Sequence, residues 1–188
     1  MSTYDKNTSP DGYLNSATRI SGFQLCRPGK KEIGIRKASI HHHFPGKTDL
    51  GLAYCEYKTG VFSQLDAALH DIPPGVQRLR AYLDAFAGCA EREEMCGVYA
   101  MLSDSHQFSS ELQKAVSCPA QTEMLILKKT SLLPGRKSGE LRSVVPPDEL
   151  AIIVCSALKG ALMLNRIPPH DAYTGAVDAL MMMLDART

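Results

Sequence analysis

Residues 33–50 constrain this chain more than any other stretch: Ile33-Gly34-Ile35-Arg36-Lys37-Ala38-Ser39-Ile40-His41-His42-His43-Phe44-Pro45-Gly46-Lys47-Thr48-Asp49-Leu50. Gly34 can take the positive φ that closes one helix and opens a tight turn. Pro45-Gly46 forbids continuation of the short helix that follows, and Thr48 or Asp49 can cap the next one. The short helix turns Arg36, Lys37, Ser39, His41 and His42 outward and keeps Ile40 and Phe44, four apart, for packing. A short cationic helix between a turn and a sharp stop suits the second helix of a helix-turn-helix, which reads base edges in the major groove.

The same run resembles the recognition segment of the TetR/AcrR-like family of bacterial transcriptional regulators, which reads close to G-V-S-K-G-S-L-Y-H-H-F-P-S-K-E-D-L. By that resemblance Arg36, Lys37, Ala38, Ser39 and His41 occupy positions that face bases or the DNA backbone. Arg36 can bind guanine O6 and N7 bidentately. Lys37 and Lys47 suit phosphates, and His42 can donate to one. His41 stands where the family has Tyr. Read without the resemblance, the same residues equally describe a solvated basic helix.

Charge agrees with a DNA-facing head. Through Lys47 there are eight Lys and Arg against three acids, a net +5, while the remaining 13 basic and 17 acidic residues give −4. A basic head on an acidic body is expected where only the head meets a polyanion, although a basic tail gives a similar figure. With 188 residues, 44% of them hydrophobic, the chain can bury one or two small cores. It contains no apolar run of about 18 residues and no signal-like start, which predicts a cytoplasmic protein without a membrane partner. Cys26, Cys55, Cys89, Cys96, Cys118 and Cys155 show no ligand spacing, so reduced, partly buried thiols are expected.

The segment 20–32 departs from the family pattern. Pro28-Gly29 breaks a helix where the first helix of the reading motif belongs, and the apolar scaffold positions are displaced. This shortened head gives an alternative reading, a dimeric ligand-binding module that has lost specific DNA binding. The expected division is a helix-turn-helix head over 1–47 and a helical effector-binding and dimerisation body over 48–188.

The body reads as helices throughout. Leu50, Tyr54, Tyr57, Val61, Leu65 and Ala68 recur at helical spacing until Ile72-Pro73-Pro74-Gly75. Val76, Leu79, Leu83, Phe86 and Ala90 form a second stripe. Ser110 with Gln113 predicts a capping box, Pro119 a kink, and Pro134-Gly135 a helix end. Gly135 to Leu141 again resembles the family, as a turn before its last helix pair. Pro147 with Asp148 and Glu149 starts a helix whose Leu150–Leu158 portion is apolar on every side, and a last stripe follows Pro168-Pro169.

The resemblance implies that the last two helices of each subunit form a four-helix homodimer interface. Its candidate residues are Leu150, Ile153, Val154, Ala157, Leu158, Ala161, Val177, Leu180, Met181 and Leu184. It also implies an effector site within the body, for which Tyr57, Val61, Phe86, Met95, Tyr99, Met101 and Met124 are candidates, each equally good as plain core. Met and aromatic side chains adapt to a small apolar effector.

Other chemistries fit poorly. Three consecutive His residues on a helix diverge by about 100° each and cannot converge on one metal ion. Cys89, Cys96 and Cys118 could sense oxidants or electrophiles, but Glu93 and Glu94 oppose the activating charge of Arg92, and small buried residues explain them as well. No nucleophile elbow, phosphate loop or H-E-x-x-H occurs, and the consecutive Asp104-Ser105-His106 cannot form a triad. Together with the family resemblance, the sequence predicts an all-α, non-enzymatic, cofactor-free protein resembling a DNA-binding repressor that works as a homodimer on palindromic operator DNA.

Overall fold

Gly46 marks where the described protein begins to organise: its N–H donates to Asp49 Oδ2 at 2.8 Å and its carbonyl accepts from Leu50 N. Asp49 thus reaches back one turn to satisfy a donor at the helix start, with its charge at the positive end of the dipole. The helix it caps is α1, Lys47–His70. The computed structural model describes residues 42–187. Arg36, Lys37, Ala38, Ser39, His41 and the 20–32 segment lie outside them.

Seven further α-helices follow among the described residues: α2 Val76–Asp84, α3 Ala87–Glu91, α4 Gly97–Ser103, α5 Ser110–Ile126, α6 Leu133–Lys137, α7 Pro147–Leu164 and α8 Ala172–Leu184. A 3₁₀ turn spans Ser105–Gln107, and a π-helical stretch, Leu127–Leu132, joins α5 to α6. No strand occurs among the described residues, only an isolated antiparallel bridge between Leu141 and Asp185. The class is all-α, as the sequence predicts.

Three local expectations are corrected. The stripe Val76–Ala90 is broken at Ala85-Phe86 into α2 and α3. The side-chain cap of α5 is Ser109, whose Oγ accepts from Leu112 N at 3.3 Å, while Gln113 Nε2 donates to the Phe108 carbonyl at 3.0 Å. Pro134-Gly135 sits inside α6, which continues directly from the π stretch, rather than ending a helix. Pro119 lies within α5 as expected.

The chain divides into two compact units, residues 1–58 with 97–119 and residues 59–96 with 120–188. The first, where described, packs the start of α1 on α4 and α5. Gly51 lets the helices come close: a Cβ there would lie 2.9 Å from Leu112 Cδ1 and 3.4 Å from Met101 Cε. Leu50, Tyr54, Val98, Met101, Leu112 and Val116 are its buried apolar residues.

The second unit is built on the α7–α8 hairpin, against which the π stretch and α2 pack. Asn165, just past α7, joins it to α8. Its Oδ1 accepts from Tyr173 N at 3.0 Å, capping α8, and its Nδ2 donates to the Ala90 carbonyl at 3.1 Å. Glu140 caps α2 from a distance, its Oε2 accepting from Val76 N at 3.1 Å. Gly75, at φ 120°, is required there, since a Cβ would strike the Glu140 carboxylate.

Candidate functional site

Of the candidate DNA-facing residues, His42 and Lys47 are described, and both are exposed. His42 stacks edge-on against His43, ring centres 5.3 Å apart. Among the described residues no group of His, Cys, Asp and Glu gathers as a metal site.

The candidate effector contacts fall in both units. Tyr57, Tyr99 and Met101 belong to the first, with Met101 buried and the two tyrosines half-buried; Val61, Phe86, Met95 and Met124 belong to the second, with Phe86 buried and the others half-buried. A cleft of about 410 Å³ in the second unit has other walls, among them Arg80, Asp84, Glu93, His170, Tyr173 and Val177.

Of the candidate interface residues, Leu150, Val154, Leu158, Ala161, Val177, Leu180 and Leu184 are buried within their own subunit. Ala157 and Met181 are half-buried, and Ile153 is exposed. The face that α7 and α8 leave uncovered carries a different set: Ile152, Ile153, Met163, Leu164 and Ile167 from the first helix and its end, Met182 and Met183 from the second. Ile152 is 55% and Met182 68% exposed. An all-apolar helix has two faces, and composition does not say which one meets its own core.

Sequence reading missed the polar centre of the second unit. Glu123 of α5 is fully buried, and its Oε1 takes an ion pair from Lys159 Nζ of α7 at 2.6 Å and a hydrogen bond from Tyr82 Oη of α2 at 3.0 Å. The ammonium also stands 3.5 Å from the Phe86 ring centre, a cation–π contact. Cys155 Sγ lies 3.5 Å from Tyr82 Oη. Burial, reinforced by the Glu123 charge, holds the Tyr82 phenol far above its ordinary range, so it stays a neutral donor. Glu123 Oε2 is buried with no hydrogen-bond partner among the described residues. The available signal was Lys159 itself, one cation in the apolar run Leu150–Leu164.

Beside this centre, Arg78 of α2 is buried and closes the end of α1. Its guanidinium donates to the Ile72 carbonyl, to His70 at 3.4 Å and to Thr130 at 2.9 Å. The His70 and Ile72 carbonyls stand at and just past the end of α1, where a helix leaves them without partners, while Thr130 lies within the π stretch. Thr130 Oγ1 in turn donates to Asp66 Oδ1 of α1.

No protein-family model matches the chain, and no curated protein matches it in sequence. Solved structures do. A TetR-family transcriptional regulator from Agrobacterium tumefaciens superposes with a TM-score of 0.75 at 23% identity, covering 84% of each chain. E. coli NemR in its reduced form gives 0.70 at 18% identity over 92% of each chain. The regulatory protein TetR from Rhodobacter sphaeroides gives 0.67 at 22% identity, covering 82% of this chain and 85% of the other. An all-α architecture shared over most of each chain with several such proteins settles the architecture: this chain has the fold of the TetR/AcrR-like transcriptional regulators.

Proposed function

We propose that the chain is a ligand-responsive transcriptional repressor that binds palindromic operator DNA as a cytoplasmic homodimer. The observation that carries this reading is the likeness of fold, over more than four-fifths of each chain, to TetR-family regulators. The segment 33–50 supports it from the sequence. Arg36, Lys37, Ala38, Ser39, His41 and His42 are its candidate base and backbone contacts, and Lys47 opens α1 immediately after the Pro45-Gly46 stop.

The apolar face of α7 and α8 supports a homodimer. Large contiguous apolar surface is rare on monomers, and a two-fold pairing would bring the same residues together from both subunits. The interface proposed here is therefore Ile152, Ile153, Met163, Leu164, Met182 and Met183, with Ala157 and Met181 at its margin. A small apolar effector remains the proposed signal. Val61, Phe86, Met95 and Met124 are its candidate contacts in the second unit, Tyr57, Tyr99 and Met101 those in the first. In this reading the effector biases a two-state tilt of α1, and with it the spacing of the two reading helices.

The irregular 20–32 segment favours the second reading, a dimeric ligand-binding module without specific DNA binding. Gel-shift titration against the gene's own upstream region, at two salt concentrations, separates the two. Saturable, competitor-resistant binding that weakens in Arg36→Ala supports the repressor. Binding that is sequence-blind, or absent at both salt concentrations, supports the module.

A further inference from the structure

A short joint connects the candidate reading segment to α1. His42 and His43 are helical, Phe44, Pro45 and Gly46 are not, and α1 opens at Lys47. The joint has little freedom at its first two residues. Pro45 fixes its own φ and holds Phe44, the residue before it, to extended conformations. Gly46 is the soft position, because glycine adopts a wider range of backbone angles than any other residue.

α1 grips Gly46 by both backbone groups. The Gly46 carbonyl accepts from Leu50 N at 3.4 Å, and its N–H donates to Asp49 Oδ2 at 2.8 Å. The first bond belongs to the helix itself; the second depends on one side chain, reaching back to the cap from the third helical residue. Next to Asp49, Leu50 is buried in the core of the first unit and Gly51 lies against Leu112. Asp49 therefore ties the soft residue of the joint to a helix start already packed in its unit. Its charge works the other way. Asp49 is exposed and two residues past Lys47, a candidate phosphate contact. A carboxylate there repels phosphates, so loss of its charge alone tightens sequence-independent DNA binding.

We propose that Asp49 is a positioning residue for DNA recognition: its hydrogen bond to Gly46 locks the joint and fixes the direction in which segment 36–43 leaves α1. Asp49 acts through Gly46, by setting the angle at which Arg36 and its neighbours meet base edges. The inference rests on the repressor reading given above. Charge and geometry predict opposite results when the carboxylate is removed, which makes the two separable. Asn at this position keeps a side-chain acceptor for Gly46 N without the charge and caps helices as well as Asp does, whereas Ala keeps neither.

The test compares the full-length parent, Asp49→Ala and Asp49→Asn by fluorescence anisotropy on a duplex from the gene's upstream region and on a scrambled duplex, with circular dichroism checking that all three remain helical. Asp49→Ala should bind the upstream duplex at least about fivefold more weakly than the parent, the size of a lost helix cap, while binding the scrambled duplex as tightly or more tightly. Asp49→Asn should match or exceed the parent on both. An Ala variant that binds the upstream duplex as tightly as the parent overturns the proposal, and so does equal weakening in Ala and Asn. A parent that binds both duplexes alike overturns the repressor reading instead, and hydrogen exchange of the free protein then decides the lock. Read by mass spectrometry, the amides of residues 42–46 should exchange faster in Asp49→Ala than in the parent or Asp49→Asn; equal exchange in all three overturns the proposal.

Discussion

Lys159 Nζ and Glu123 Oε1 lie 2.6 Å apart inside the second unit, where both side chains are buried and the ammonium also faces the Phe86 ring. A buried pair of this kind draws little net stability from its attraction, because both charges have left water. Breaking it is another matter. Lys159→Ala strands a carboxylate that already has one oxygen without a partner, and a loss of roughly 3–5 kcal/mol is expected. The double variant Lys159→Met with Glu123→Leu should come back to within about 1–2 kcal/mol of the parent, or exceed it. Urea denaturation followed by circular dichroism measures both, and a double variant no better than the single one contradicts this account.

Gly75 occupies a backbone conformation that L side chains rarely adopt, directly under the carboxylate that caps α2. Gly75→Ala should cost about 1–3 kcal/mol from backbone strain alone, and displacement of Glu140 would add to it. Glu140→Gln keeps an acceptor for Val76 N and should lose far less. Thermal unfolding of the two variants checks the order.

Cys55 makes stability depend on alkaline pH. Its ordinary value is 9.0 and burial raises it to about 11, so the unfolded chain ionises first. The stability this thiol contributes is complete below about pH 9 and is lost as pH rises to about 11. Cys55→Ala should flatten the fall in urea midpoint across that window, and an unchanged slope would count against the neutral buried thiol.

The helical framework was readable because its signals are local. Apolar spacing from Leu50 to Ala68, the Pro73-Pro74-Gly75 stop and the Pro147-Asp148-Glu149 start each act within a few residues, and α1 and α7 begin and end close to where they indicate. What escaped depended on contacts distant in the chain. Lys159, Glu123 and Tyr82 come from three helices, and only their packing reveals that the lone cation in α7 is paired. The same limit governs the interface residues. Leu150, Val154 and Leu158 share one side of α7 and turn inward, whereas Ile152, Met163 and Leu164 turn outward. Hydrophobicity cannot distinguish two apolar sides of one helix.

Met182 and Ile153 belong to that outward face, and their replacement should separate subunits without unfolding them. Ile153→Asp with Met182→Glu should halve the mass seen by light scattering at micromolar concentration while keeping the helical spectrum, because neither side chain is buried in its own subunit. Val154→Asp, placed in the core, should unfold the chain instead. A parent protein that is already a monomer contradicts the homodimer.

The central claim concerns DNA, and fluorescence anisotropy with a labelled duplex from the gene's upstream region tests it most directly. The account predicts saturation at two chains per operator, affinity that falls as salt rises, and a loss of roughly 1–3 kcal/mol in Arg36→Ala on the operator with little change on scrambled duplex. Equal affinity of the parent protein for operator and scrambled duplex at every salt concentration would contradict it.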